Sequence, residues 1–399
     1  MLASYACGSS DETVPPQGNA GSAGADGGST GGSAGAGGKA GSGGQAGAAG
    51  GQAGSSGKGG TGGQAAGAGG QAGSGGQAGG GAGQAGAAGT PLLAGVNLSC
   101  AEFAAGKIPG SYGTDYIYPS ADEVDYFVGK GMNTFRLPFL WERLQPASPG
   151  PLDATEETRL STIVSHALGK GAYVILDPHN YARYYGTVMG EGNAIAALAD
   201  LWSRLAGKYK AEPHVLFGLM NEPNGLATET WRDAANASIK AIRDAGASNL
   251  ILVPGNAWTG AHSWSSDWYG TANAVAMLDI VDPGNNYVFE VHQYLDSDSS
   301  GTSDQCVSTT IGSERLQGFT DWARTHGKQA FLGEFAGARN DTCYQAVDDM
   351  LSYFDQNRDV WMGWTWWAAG PWWGDYMFTL EPDNGADRPQ MAILAPHLQ

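Results

Sequence analysis

VLFGLMNEP, residues Val215–Pro223, decides the fold. Its apolar part is one strand long, shows no helical spacing, and stops on a polar pair, Asn221 and Glu222. A short continuous apolar run fits a parallel strand covered on both faces. Seven other runs are built the same way: LLAGVNLS from Leu92, TFRLPF from Thr134, AYVILDPH from Ala172, LILVPG from Leu250, YVFEVHQY from Tyr287, QAFLGEF from Gln329 and VWMGWTWW from Val360. Amphipathic stretches separate them. Ser120 and Glu123 form an S-x-x-E capping box before VDYFVGKG, with Gly131 as its stop, and TEETRLSTIVSHALGKG ends at Gly171. Eight such alternations predict an α/β fold, a (β/α)8 barrel of the TIM type over residues 91–399, because an open sheet rarely needs eight parallel strands.

The runs end on side chains that carry chemistry. Arg136 lies in the second, His179 ends the third, and Asn221 and Glu222 close the fourth. His292 and Tyr294 end the sixth, Glu334 the seventh and Trp367 the eighth. A barrel gathers all of these ends on one face, so residues far apart in sequence become neighbours.

Residues 8–90 are of another kind. Variants of GGQAG recur at Gln45, Gln52, Gln64, Gln71, Gln77 and Gln84, with almost no large apolar side chain. Ordering costs about 1–2 kcal/mol of backbone entropy per residue, and nothing there can be buried to offset it, so a long disordered Gly/Ala/Ser/Gln-rich spacer is expected. The segment holds only Asp11, Glu12, Asp26, Lys39 and Lys58, so nearly all of the formal charge of −18 belongs to residues 91–399. A surface this acidic repels a phosphate backbone and excludes nucleic acid as an expected partner, while a neutral polysaccharide is indifferent to it. No run of about eighteen apolar residues is present to span a membrane. MLASYAC, residues 1–7, followed by Gly-Ser-Ser, resembles the end of a bacterial lipoprotein signal, so lipidation of Cys7 and anchoring to an outer membrane are expectations.

Glu222 and Glu334, at the ends of strands four and seven, face one another across the barrel mouth. Hydrolysis of a glycosidic bond needs such a pair: a proton donor, and either a nucleophile about 5–5.5 Å away or a base about 6.5–9.5 Å away. The short separation, and so retention of configuration, is expected. The guanidinium of Arg136, on the same site, favours the anion of Glu334, whereas that anion and an apolar wall raise the pKa of Glu222. Asn221 is placed to bond a sugar hydroxyl, Tyr294 to donate to Glu334, and His179 and His292 to complete the polar network. Neither an H-E-x-x-H pair nor a cysteine cluster occurs, so no metal and no cofactor is expected. Thirteen tryptophans suit the apolar C–H faces of pyranoses. Period-two alternation groups Trp361 with Thr365 and Trp367, and Trp364 with Trp366. Trp367 is the expected subsite floor, and Trp264 in GNAWTGAHSW the expected platform on the leaving-group side.

GVNLSCAEF, NTFRLPF, DPHNYARYYG, LMNEP, VPGNAWTGAHSW, HQYLDSDSSGTSDQC, LGEF and WWAAGPWWGDYMF are spread over the whole of residues 91–399. Together they resemble glycoside hydrolase family five, clan A, in its fungal-type endo-β-1,4-glucanase branch. The long sixth-strand and eighth-strand segments are the most specific. The resemblance implies that Glu222 is the acid/base and Glu334 the nucleophile in a retaining cleavage of cellulose-type β-glucan. It also implies that Arg136, His179, Asn221, His292 and Tyr294 surround the −1 sugar, with Trp367 beneath it and Trp264 and Trp372 along neighbouring subsites. A disulfide between Cys306 and Cys343 follows from the same resemblance, and with it a secreted or surface-tethered protein, expected as a monomer. Cys100 departs from the pattern, standing where relatives often carry Gly, which bears on local packing. Mannan, xyloglucan or mixed-linkage glucan remain alternative substrates on this scaffold. A non-catalytic carbohydrate-binding protein is the other alternative, and it would gain nothing from two mutually repelling carboxylates.

Overall fold

Each of the eight apolar runs forms a strand, and the strands close on one another. The computed structural model describes residues 91–398, so the expectations for Cys7 and for the 8–90 spacer lie outside the described residues. The strands are β1 (Leu93–Leu98), β2 (Thr134–Phe139), β3 (Tyr173–Pro178), β4 (Val215–Gly218), β5 (Ile251–Pro254), β6 (Tyr287–His292), β7 (Ala330–Glu334) and β8 (Trp361–Ala369). All neighbours are parallel, and β8 pairs with β1 to complete the ring. Helices between and after the strands include α1 (Ala121–Gly129), α2 (Ala154–Gly169), α3 (Ala194–Tyr209), α4 (Thr228–Asp244), α5 (Asn273–Ala276), α6 (Ile311–Thr325) and α7 (Asp341–Gln356). Gly131 and Gly171 follow α1 and α2 at φ of +95° and +77°, the left-handed conformation that stops a helix. The fifth crossover differs from the rest: residues 255–272 form a long loop, and apart from short 3-10 turns only the single turn α5 is helical.

Inside the barrel, Leu93, Ile175, Leu216, Leu252, Val288 and Phe331 form their own apolar cluster, with Tyr173, Leu250 and Met362 against it. This plug fills the lower barrel and leaves the mouth for polar groups. The expected grouping of Trp361 with Trp367 is corrected by a break in the β8–β7 register between Trp361 and Gly363. One extra residue there shifts the alternation. Trp361 therefore packs outward on Phe319 of α6 and Phe354 of α7, with its indole N–H on Thr320 Oγ1 at 3.1 Å. Cys306 and Cys343 form the implied disulfide, tying the loop after β6 to the first turn of α7. Closing a loop of that length contributes about 4 kcal/mol in the chain-entropy account.

Ser120 and Glu123 make the predicted capping box, with Glu123 Oε2 accepting from Ser120 N at 2.5 Å. The other oxygen, Oε1, is buried with no donor. The carboxyl of Glu123 interacts with that of Glu381, which comes from the segment after β8 and also accepts from Gly370 N at 3.1 Å. Burial, then the charge of Glu123, push Glu381 up to about 7, and burial raises Glu123 as well. A proton shared between the two carboxyls would account for both shifts. Because the folded pKa of Glu381 lies above its ordinary value of 4.5, the stability gained in acid is lost as pH rises from there through about 7. Glu381→Gln supplies a permanent donor. Across that window the wild type should lose on the order of 1 kcal/mol more than the variant, allowing for partial exposure, or roughly 1–2 °C in Tm. Parallel Tm–pH curves would show that no proton is shared.

Candidate active site

The polar residues at the barrel mouth are placed by the two-residue period of the strands. Asp177 and His179 share one face of β3, as Glu290 and His292 share one face of β6. Arg136 of β2 is fully buried among them. Its Nη1 donates to Asn97 Oδ1 and Glu334 Oε1, each at 2.9 Å, and lies 3.1 Å from Asp177 Oδ2. Nη2 donates to Asn221 Oδ1 at 2.8 Å, and Nε lies 3.0 Å from Glu290 Oε1. Asn97, Asp177 and Glu290 are site residues that the strand-end reading passed over. The sequence did carry a signal for two of them, a carboxylate two residues before a histidine inside an apolar run. Gly333 makes room for one, since a Cβ there would lie 2.2 Å from Glu290 Oε1.

A register break between Val291 and His292 sets His292 opposite Glu334. His292 Nδ1 is 2.8 Å from Glu222 Oε1 and 3.6 Å from Glu334 Oε2, while Nε2 is 3.4 Å from Glu290 Oε1. Tyr294 donates its hydroxyl to Glu334 Oε2 at 2.8 Å. A carboxylate oxygen of Glu222, one of Glu334 and a ring nitrogen of His292 all lie within 4.8 Å of one another. Three such donors could hold a divalent ion. Here the Arg136 guanidinium and the imidazole of His292 already bring positive charge against these carboxylates, which disfavours a cation among them. Burial alone would lower the His292 pKa, but Glu334, Glu222 and Glu290 outweigh it and hold the imidazole up at about 10. Burial raises Glu222, helped by the charge of Glu334 and opposed by the hydrogen bond from His292. Glu222 itself has φ +40°, held where Asn224 Nδ2 donates to its carbonyl at 3.1 Å.

The profile of the cellulase family, glycosyl hydrolase family 5, matches residues 87–370. The chain belongs to glycosyl hydrolase family 5. It is 45% identical over 292 residues to endo-β-1,4-glucanase B of Aspergillus niger, an alignment covering 73% of this chain and 85% of that one. Endoglucanase 3 of Humicola insolens is 44% identical, with 73% of each chain covered. The crystal structure of an endo-β-1,4-glucanase from Xanthomonas axonopodis pv. citri superposes with a TM-score of 0.76 at 53% identity, covering 77% of this chain and 98% of that one. XacCel5A in complex with cellopentaose gives the same TM-score and identity, over 77% and 99% of the two chains.

Around this family-5 mouth the aromatic residues divide into walls and supports. Trp367 stacks on His179, with ring centroids 5.4 Å apart and planes at 18°, and Trp373 meets Trp367 edge-on at 5.8 Å. His179 Nδ1 is 2.8 Å from Asp177, and Asn221 Nδ2 donates to His179 Nε2 at 3.1 Å. The amide of Asn221 therefore links Arg136 to His179. Tyr181, 3.3 Å from His179 Nε2 through its hydroxyl, is a further cleft aromatic that the sequence reading left out. Trp372 is 37% exposed in the segment after β8. The expectation for Trp264 is corrected: it is 1% exposed, caged by Phe289, Phe319 and Trp322, and offers no face to a sugar. Trp258, in the same segment, is tied to the residue after Glu222, its backbone N–H donating to Pro223 O at 3.0 Å. Cys100 is buried, and a Cβ at Gly370 would come within 2.9 Å of its Sγ, so its departure from the pattern concerns packing.

Burial raises the Glu222 pKa and His292 holds it back. His292→Asn removes a hydrogen bond and a charge that both lower the Glu222 pKa. The alkaline limb of the kcat/KM profile, which reports loss of that proton, should move to higher pH. A limb that stays in place or moves down contradicts this coupling.

Proposed function

We propose that the protein is a retaining endo-β-1,4-glucanase that cuts internal bonds of cellulose-type chains, with Glu222 as acid/base and Glu334 as nucleophile. The observation that carries this is the approach of the two carboxyls, with oxygens within 4.8 Å. That spacing is nearer the short separation of a retaining site than the wider one that accommodates a water in an inverting site. Glu222, kept protonated by burial, gives its proton to the leaving oxygen. Glu334, oriented by Arg136 and Tyr294, bonds to the anomeric carbon. Water, deprotonated by Glu222, then releases the sugar with its configuration retained. Asn221 bonds a hydroxyl of the sugar over Trp367. The named activities of the relatives support cellulose-type chains as the substrate class.

Glu222→Ala should lose roughly 10²–10⁴-fold on carboxymethylcellulose. With an activated aryl cellobioside and azide, that variant should recover turnover and release the β-cellobiosyl azide. An α-azide would reverse the two roles, and no rescue would remove Glu222 from the mechanism. Faster release of reducing ends from mannan or xylan than from carboxymethylcellulose would replace the glucanase reading.

The same reading extends to location. Among the described residues no helix is long and apolar enough to cross a membrane. Cys7 followed by a Gly- and Gln-rich stretch suits a lipid anchor and spacer holding a monomeric catalytic unit at an outer surface. Cys7→Ser should move activity from the membrane fraction to the medium in a lipoprotein-processing bacterium. Equal distribution of the two forms would end the anchoring proposal.

A further inference from the structure

Residues 255–272, the loop that takes the place of a full fifth helix, are bonded to the catalytic strand ends along their first half. Ala261 N donates to His292 O at 3.0 Å, His262 N to Gln293 Oε1 at 2.9 Å and Trp258 N to Pro223 O. Their second half is tied to the start of α4, which follows Glu222 in the chain: Thr228 N donates to Tyr269 O, and the Thr271 hydroxyl bonds Glu229. Trp264 is the support beneath. Ala274 N donates to its carbonyl at 2.9 Å, and a Cβ on Gly255 would lie 2.5 Å from its ring.

Trp268 stands on this braced loop and is 50% exposed. Its indole lies 6.1 Å from the ring of His262, which is itself exposed, and the adjacent Tyr269 lies 6.0 Å from Trp258. An indole held in the open by a fixed loop, on the side of the mouth where Glu222 sits, has the shape and chemistry of a sugar platform. The floor under the other half of the cleft, Trp367 on His179, comes from β8 and β3. Trp268 comes from the β5 side, across the barrel.

We propose that Trp268, with His262 at its edge, stacks a glucosyl unit of the leaving group beyond the one next to the scissile bond. The proposal rests on the endoglucanase reading given above. A chain long enough to reach Trp268 gains binding there before the bond breaks. After it breaks, the same surface holds an acceptor chain over the glycosyl-enzyme, so the shelf also favours transfer to sugar over transfer to water.

The test compares Trp268→Ala with the wild type on cellopentaose and on an aryl cellobioside, whose leaving group is too short to reach the shelf. The loss of kcat/KM on cellopentaose should exceed the loss on the aryl cellobioside roughly tenfold, with Trp268→Phe intermediate and Tm unmoved. Transfer of cellobiosyl from the aryl donor to added cellotriose should fall in step. Equal losses on both substrates, or none on either, would overturn the shelf. A wild type that cleaves neither substrate would instead overturn the endoglucanase reading.

Discussion

A fully buried guanidinium holds the mouth of this barrel together. Arg136 reaches from β2 to Asn97 on β1, Asp177 on β3, Asn221 after β4, Glu290 on β6 and Glu334 on β7. Desolvating such a charge is repaid only when geometry and partners are complete, and removal of one partner from a buried pair typically costs about 3–5 kcal/mol. The contact that fixes the position of Glu334 therefore also fixes the relative position of most strands at their carboxyl ends. Asp177 and Glu290 belong to this scaffold and not to the pair proposed to react. Three carboxylates around one guanidinium leave excess negative charge, and the raised pKa of His292 answers it. In such surroundings another anion is unfavourable, which adds to burial in raising the Glu222 pKa.

The barrel was legible because its strands are apolar on both faces and stop abruptly. The reacting pair and its neighbours were legible because each sits at or within such a run. Asp177 and Glu290 were readable in principle from their spacing to His179 and His292, but each looked like a blemish in a hydrophobic strand until Arg136 supplied the partner. Two features lay beyond pattern. The register break in β8 turned Trp361 to the helix layer, and no composition signal marks a single extra residue next to Gly363. In the fifth loop, Ala257, Trp258 and Thr259 all have positive φ, so no periodicity could say which tryptophan points inward. Trp264 and Trp258 were indistinguishable by residue type and separable only by packing.

Stability and chemistry are kept in separate layers. The aliphatic plug of Leu93, Ile175, Leu216, Leu252, Val288 and Phe331 closes the lower barrel, so the mouth can be polar without weakening the core. Glycine marks the seam between the layers. Gly218 and Gly333 lie against Glu290, and a side chain at 333 would displace a carboxylate that Arg136 requires. Glu222 shows the complementary cost: its positive φ is a strained state for a residue with a side chain, one that costs about 1–3 kcal/mol and persists only where the surroundings over-determine it.

The position of Trp264 explains how such a cleft can vary its reach without disturbing its chemistry. Its indole is buried against Phe289 of β6 and Phe319 and Trp322 of α6, and its N–H has no hydrogen-bond partner. A buried unpaired N–H is tolerated only where the aromatic packing around it more than compensates. That packing fixes the loop from below, while Trp258, His262 and Trp268 lie above it. Exchange of the upper residues leaves the support and Arg136 untouched. Exchange of Trp264 would undermine the loop and, through Ala261 and His262, the ends of the strands that carry His292 and Gln293. The tryptophan that touches no sugar is thus the one on which the leaving-group side of the cleft depends.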